Sequence, residues 1–139
     1  MNKKQLSATV VAGVGAISAA QAADIEMVIH DRVYPIVLEE HAGTAAFVAM
    51  LPLTLTFENY GSTERIAYLP RKLVASGMPD HTTPKRGDIT IYLPWGNVAV
   101  FVKDFRESPG LMPMGHLSEA ALKGIVESGD APVTFRRRE

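Results

Sequence analysis

The sequence contains no cysteine among its 139 residues. That excludes a disulfide framework, a zinc–thiolate site and a lipoprotein anchor. It also lacks a surplus of either charge: 14 basic and 15 acidic residues give −1 with histidine neutral. Nucleic-acid binders are usually basic overall, so no nucleic-acid partner is expected. Charged residues make up only 21% of the chain against 47% apolar, which argues against disorder. Beyond residue 23 no run approaches the roughly 20 apolar residues of a membrane span. Catalytic and metal-binding motifs are missing too. His30, His41, His81 and His116 are scattered, without His-x-x-x-His or His-Glu-x-x-His spacing, so no metal and no cofactor is expected. Ser108 lies in Glu-Ser-Pro-Gly, a turn and not a nucleophile elbow.

What is present begins with a leader. Lys3 and Lys4 precede an apolar, small-residue stretch from Leu6 to Ala20, and Ala20-Gln21-Ala22 supplies small residues for signal-peptidase cleavage. Cleavage after Ala22 divides the chain into residues 1–22, a signal peptide, and residues 23–139, one domain, periplasmic or secreted and free of the membrane. The rival reading is an uncleaved signal anchor, for which Gly13, Gly15 and Ser18 are poorly suited. Gly13-Val14-Gly15 imitates part of a phosphate loop but belongs to this leader. Removing the two lysines leaves the domain more acidic than the whole chain. Arg136-Arg137-Arg138 then reads as a basic, solvated tail.

The domain reads as short strands with two short helices. Ile25 to His30 and Val33 to Leu38 form a hairpin around His30-Asp31-Arg32. Thr44 caps a helix over Ala45 to Leu51, which Pro52 ends. Leu53, Thr54, Leu55, Thr56 and Phe57 alternate with period two, a strand with one wet face. Asn59-Tyr60-Gly61-Ser62 is a turn, and Arg65 to Leu69 the returning strand. Lys72 to Gly87 is a surface loop; Arg86-Gly87-Asp88 at its end spells an adhesion tripeptide, which a loop entering a strand uses anyway. Asp88 to Leu93 and Val98 to Val102 pair antiparallel through Pro94-Trp95-Gly96-Asn97. Met112 to Leu117 is a further strand, with Met112 and Met114 as core fillers. Ser118 caps the second helix, Leu117 staples onto Leu122, and Leu122, Ile125 and Val126 form its buried stripe up to Gly129. Pro132 to Phe135 closes the sheet as an edge strand. About eight strands and two helices in a chain of this length predict a mainly β fold, closed or nearly closed into a barrel that removes unpaired edges.

Two segments carry a resemblance. Leu51 to Arg71, LPLTLTFENYGSTERIAYLPR, and Gly87 to Phe105, GDITIYLPWGNVAVFVKDF, resemble the bacterial cyclophilin-like fold family, small stand-alone barrels sometimes joined to flavodoxin-like domains. The resemblance runs from Ile25 to about Ile125. It implies a closed cyclophilin-like β-barrel of about eight strands with two short helices, and a flavodoxin-like protein as a possible partner. It implies little about activity, because fold does not determine function.

True cyclophilins set an arginine from a Phe-His-Arg strand beside the substrate proline and shape the pocket with Gln and Phe-Phe. Neither Phe-His-Arg nor Gln-x-x-x-Phe-Phe occurs here, so no catalytic residue is carried over. Arg65, at the start of a strand, is the arginine best placed by sequence to point into a groove. Its alternative is a solvated strand end paired with Glu64 or Glu58. Tyr60, Tyr68, Tyr92, Trp95 and Phe101 are the candidate ligand-binding residues, a barrel wall offering a partly apolar concave site. By strand parity Tyr92 and Phe101 occupy a less buried face or a second small core. Trp95 either plugs the barrel end, the favoured reading, or lines a rim. Asn97 serves loop backbone groups with its amide. The expectation is an exported, non-catalytic module for a peptide or small molecule. The runner-up is a weak peptidyl-prolyl isomerase or periplasmic folding helper.

Overall fold

The computed structural model describes residues 24–138. The expected leader, residues 1–22, lies outside the described residues. In chain order the elements are β1 (Asp24–Ile29), β2 (Arg32–Val37), α1 (Ala42–Val48), β3 (Leu53–Thr56), β4 (Glu58–Tyr60), β5 (Glu64–Tyr68), β6 (His81–Thr82), β7 (Asp88–Tyr92), β8 (Asn97–Phe101), β9 (Ser108–Pro109), β10 (Leu111–His116), α2 (Glu119–Glu127) and β11 (Pro132–Arg137). The fold is mainly β with two helices. Three of the eleven strands have only two or three residues, which is why the sequence suggested about eight.

Alternation dictates how the strands stack. Ile25, Met27 and Ile29 of β1, Val133 and Phe135 of β11, Ile89 and Ile91 of β7, Val98 and Val100 of β8, and Met112 and Met114 of β10 all enter one core. A four-stranded sheet ordered β2-β1-β11-β3 and a five-stranded sheet ordered β10-β7-β8-β5-β4 enclose it. Phe135 meets Phe47 of α1 edge-on, ring centroids 6.0 Å apart. Each fully buried side chain of this size contributes about 2–3 kcal/mol of apolar transfer.

The expected closed barrel is not seen as a single ladder. The two sheets remain separate, joined along one side by a bridge between Leu38 and Gly115 and by the Glu39 amide donating to the Met114 carbonyl at 2.7 Å. Along the other side the chain itself passes from β3 into β4 through buried Phe57.

Several local expectations change. Asn59-Tyr60 is not in a turn but in β4, paired with β5, and the reversal follows at Gly61. β11 is an inner strand between β1 and β3, not an edge. The C-terminal arginines are exposed as expected, but two of them belong to β11 and are tied down: Arg136 reaches Glu26 at 3.0 Å, and Arg137 donates to the Val48 carbonyl at 3.1 Å. The first helix begins three residues early, with His41 as its cap and Thr44 inside it. α2 keeps its Ser118 cap, which accepts from the Ala121 amide at 3.1 Å, but Val126 is half exposed and outside the buried stripe.

Candidate functional site

The β7–β8 hairpin positions the site. Tyr92 pairs with Asn97, and the connection between them carries Trp95. Gly96 has φ 72°, a left-handed conformation, and its carbonyl accepts from the Leu69 amide at 2.9 Å. A Cβ there would fall 2.9 Å from the Lys72 side chain and 3.3 Å from its backbone, so glycine fits this packing. The turn therefore holds Trp95 at a set place above the sheet.

Strand parity then separates two cores. Residues 89, 91, 98 and 100 face the main core. Thr90 and Tyr92, Asn97, Ala99 and Phe101, and Glu64 and Ile66 face the other side of the five-stranded sheet. There Ile66, Ala99, Phe101 and Leu111 form a smaller buried cluster, flanked by Tyr92 and Phe105. The segment between β8 and β10 folds back over this face. It is tied down by the Phe105 amide donating to the Pro84 carbonyl at 3.0 Å, the Gly110 amide donating to Asp80 at 2.7 Å, and the β6–β9 pairing.

Between segment and sheet lies a cavity of about 360 Å³. Ile66, Asn97, Phe101 and Leu111 line its sheet side, Phe105 to Pro109 its covering segment, and Tyr60, Glu64, Tyr92 and Trp95 the remaining wall. Trp95 stands edge-to-face against both Tyr60 and Tyr92, with centroids at 5.8 and 5.5 Å. Phe105 stacks on Phe101 at 5.9 Å, and the Arg106 guanidinium lies over the Phe105 ring, 4.4 Å from its centroid. The volume is in the range of small-ligand pockets, and the lining combines five aromatic side chains with five polar or charged ones and three aliphatic ones.

Two of the acceptors among them, Asn97 and Glu64, stand out. Asn97 is buried; its amide nitrogen donates to the Val98 carbonyl at 3.1 Å, as expected of a loop-end amide, but Oδ1 has no hydrogen-bond partner. Exchanging the amide atoms would set oxygen against carbonyl and leave the nitrogen unpaired, so one amide atom is orphaned either way. Glu64 is half-buried, and burial pushes its carboxyl above the ordinary value. Among the described residues it forms no ion pair.

Four of the five aromatic candidates therefore converge: Tyr60, Tyr92, Trp95 and Phe101. Tyr68 does not line the cavity and is half exposed. Trp95 occupies the rim and not the barrel end, with 48% of its surface exposed. Arg65 lies on the opposite face of β5 and corrects both of its readings, the groove and the solvated strand end. It is 6% exposed and donates to the Ile125 carbonyl at 3.2 Å, Asn59 Oδ1 at 3.0 Å, Ser128 Oγ at 3.1 Å and the Gly129 carbonyl. Neither Glu64 nor Glu58 is its partner. Burial lowers its pKa from the usual arginine value. The guanidinium thus serves the C-terminus of α2, where the helix dipole is negative.

Sequence reasoning missed Glu64, Phe105, Arg106 and the free oxygen of Asn97. For Glu64 the signal existed: it shares parity with Ile66. For Phe105 and Arg106 there was none, because an irregular segment has no period. None of the four histidines lines the cavity, although His81 lies 3.8 Å from Glu107, which does. His30 sits in the β1–β2 turn, His41 caps α1, His81 faces Asp80, and His116 lies 2.8 Å from Asp88.

The architecture is similar to the solution structure of the hypothetical protein AF2241 from Archaeoglobus fulgidus. TM-score is 0.60 at 14% identity, covering 84% of this chain and 95% of that one, which is a likeness of fold. The search of curated proteins found no match. The model of the Cyclophilin-like family matches residues 27–136, nearly the whole described domain, from β1 to β11. The chain belongs to the Cyclophilin-like family.

Proposed function

We propose that this protein is a binding module, not a catalyst, and that it holds a peptide or small molecule in the cavity beneath residues 105–109. One observation carries the reading: Tyr60, Tyr92, Trp95 and Phe101, from separate places in the sequence, meet at a single cavity that Asn97, whose Oδ1 is unpaired among the described residues, also lines. A partly apolar, concave surface with one buried acceptor lacking a donor suits recognition. The lysine-led apolar leader supports work after export, in the periplasm or outside the cell. Its test is the N-terminus of the processed protein, which should be Ala23.

A thermal-shift screen tests the binding reading. A true ligand at ~100 times its dissociation constant adds roughly 2.7 kcal/mol, or about 10 °C for a domain of this size. Trp95→Ala should remove that shift. A screen without a stabilising compound, or a shift that survives Trp95→Ala, overturns the reading. The isomerase alternative is decided by a coupled assay on a Xaa-Pro tetrapeptide. Arg106→Ala is the control, because Arg106 and not Arg65 lines the cavity. Turnover abolished by that substitution would replace binding with catalysis.

A further inference from the structure

Asn97 and Glu64, both lining the cavity, are the acceptors whose placement specifies a ligand. Asn97 Oδ1 is buried and unpaired. An unmatched buried acceptor is costly, and a ligand N–H removes the cost. Glu64 supplies a half-buried carboxylate that forms no ion pair among the described residues.

The register sets the backbone spacing between them. Asn97 and Phe101 are the two ends of β8, roughly 14 Å apart at the usual strand rise. Glu64 pairs directly with Phe101. Between the two acceptors runs the apolar row of Ala99 and Ile66. At the Glu64 end stand its two cross-strand neighbours, Tyr60 and Phe101. Aromatic faces attract cations, and a carboxylate beside them adds direct attraction. The other lining charges are one of each sign. Glu107 is a second carboxylate, within 3.8 Å of His81, and Arg106 is held on Phe105.

Building on the binding reading above, we propose that the cavity takes an extended basic ligand. An ammonium or guanidinium group lies against Glu64 and Tyr60, an apolar stretch crosses Ile66, and an N–H donates to Asn97 Oδ1. A lysine-bearing peptide and a linear polyamine share this chemistry. The raised affinity of Glu64 for its proton agrees, since a neighbouring cation supplies what burial removes.

Trp95 is the only tryptophan, so the protein's intrinsic emission reports on this cavity. The experiment titrates the folded protein with acetyl-Gly-Gly-Lys amide, its norleucine and glutamate counterparts, and spermidine, at low salt. The lysine peptide is expected to bind about fivefold more tightly than the norleucine peptide, with the glutamate peptide weakest. Glu64→Gln should erase the lysine advantage and keep norleucine binding. Asn97→Ala should weaken both alike; Glu64→Gln, at the half-buried wall, remains informative if Asn97→Ala fails to fold. Binding of spermidine alone assigns the polyamine as the source. Equal binding of the three peptides without spermidine binding, preference for glutamate, or a lysine advantage that survives Glu64→Gln overturns the inference and leaves the binding reading standing. Silence of Trp95 toward all four compounds also overturns the inference, and the thermal-shift screen then decides the binding reading.

Discussion

At the scale of single residues, neighbours in sequence have opposite tasks. Glu64 and Arg65 point to opposite faces of β5, the first toward the cavity and the second beneath α2. Arg65 is a buried cation whose partners are all neutral: two carbonyls, an amide oxygen and a hydroxyl. Two of those carbonyls end α2, and α2 has no basic residue in its own last turn. The sheet thus supplies the positive charge that the helix terminus favours. Arg65→Ala leaves these acceptors without a donor and should cost about 3 kcal/mol, lowering Tm by roughly 10 °C. Arg65→Lys should recover less than half, because one ammonium cannot span the fork. A lysine variant melting like wild type would show that charge alone suffices. Glu64 makes the pH-dependent prediction. Burial raises its folded-state pKa, so its contribution is fully present below the unfolded carboxylate range and is lost as pH rises through the folded value. At neutral pH the ionised carboxylate therefore opposes folding. Glu64→Gln should raise Tm at pH 7, and the gain should vanish when the wild-type carboxyl is protonated. An equal gain at both pH values would contradict burial as the cause.

At the scale of elements, α1 shows how a start signal is misread. Thr44 has the chemistry of a cap, yet it occupies the third helical position, where its hydroxyl accepts from the His41 amide at 3.1 Å. His41 is the cap. Its Nδ1 accepts from the Gly43 and Thr44 amides at 3.0 and 3.3 Å, while Nε2 donates to the Pro113 carbonyl at 2.7 Å. One ring thus closes a reciprocal capping box and pins the helix to β10. His41→Ala should cost about 1–2 kcal/mol. His41→Asn should restore the cap without the Pro113 link and fall between; chemical denaturation measures the series. Asparagine no better than alanine would show that the Pro113 link, not the cap, matters. Histidine is rare as a cap, so local propensity points to threonine, and only the approach of β10 reverses the choice. β11 is a parallel case. Pro132 suggests an edge, because proline cannot donate to a ladder. As the first residue of the strand it is tolerated, and Val133 and Phe135 are fully buried. By contrast, the β7–β8 hairpin and the second face bearing Tyr92 and Phe101 were legible, since period two and a short connection are local properties. The cavity's cover was not, because Phe105 and Arg106 take their places from contacts with residues 80–84, far along the chain.

At the scale of the whole molecule, two open sheets hold one core between them, and their union depends on little hydrogen bonding. The β3–β4 side is covalent, with Phe57 turned inward. The other side rests on Gly115. It sits where the register of β10 against β7 shifts, and it faces Leu38 across the seam. A Cβ at Gly115 would fall 2.8 Å from the Val37 carbonyl oxygen and 3.4 Å from the Leu38 Cα, both backbone atoms that cannot rotate aside. Gly115→Ala must therefore push the four-stranded sheet away from the five-stranded one. The expected loss is about 2 kcal/mol, or roughly 8 °C in Tm. The amide of Glu39, which donates to Met114 across the same seam, should exchange hydrogen faster than the inner-strand amides of β8. Trp95 emission should stay as in wild type, because the cavity lies on the other face of the five-stranded sheet and draws no lining residue from β1, β2 or β11. That combination, a weakened seam with an unchanged cavity, is what separate sheets around a shared core require. If Gly115→Ala instead disturbs Trp95 and leaves Glu39 protected, the sheets behave as one continuous wall, and the seam is not where the molecule yields.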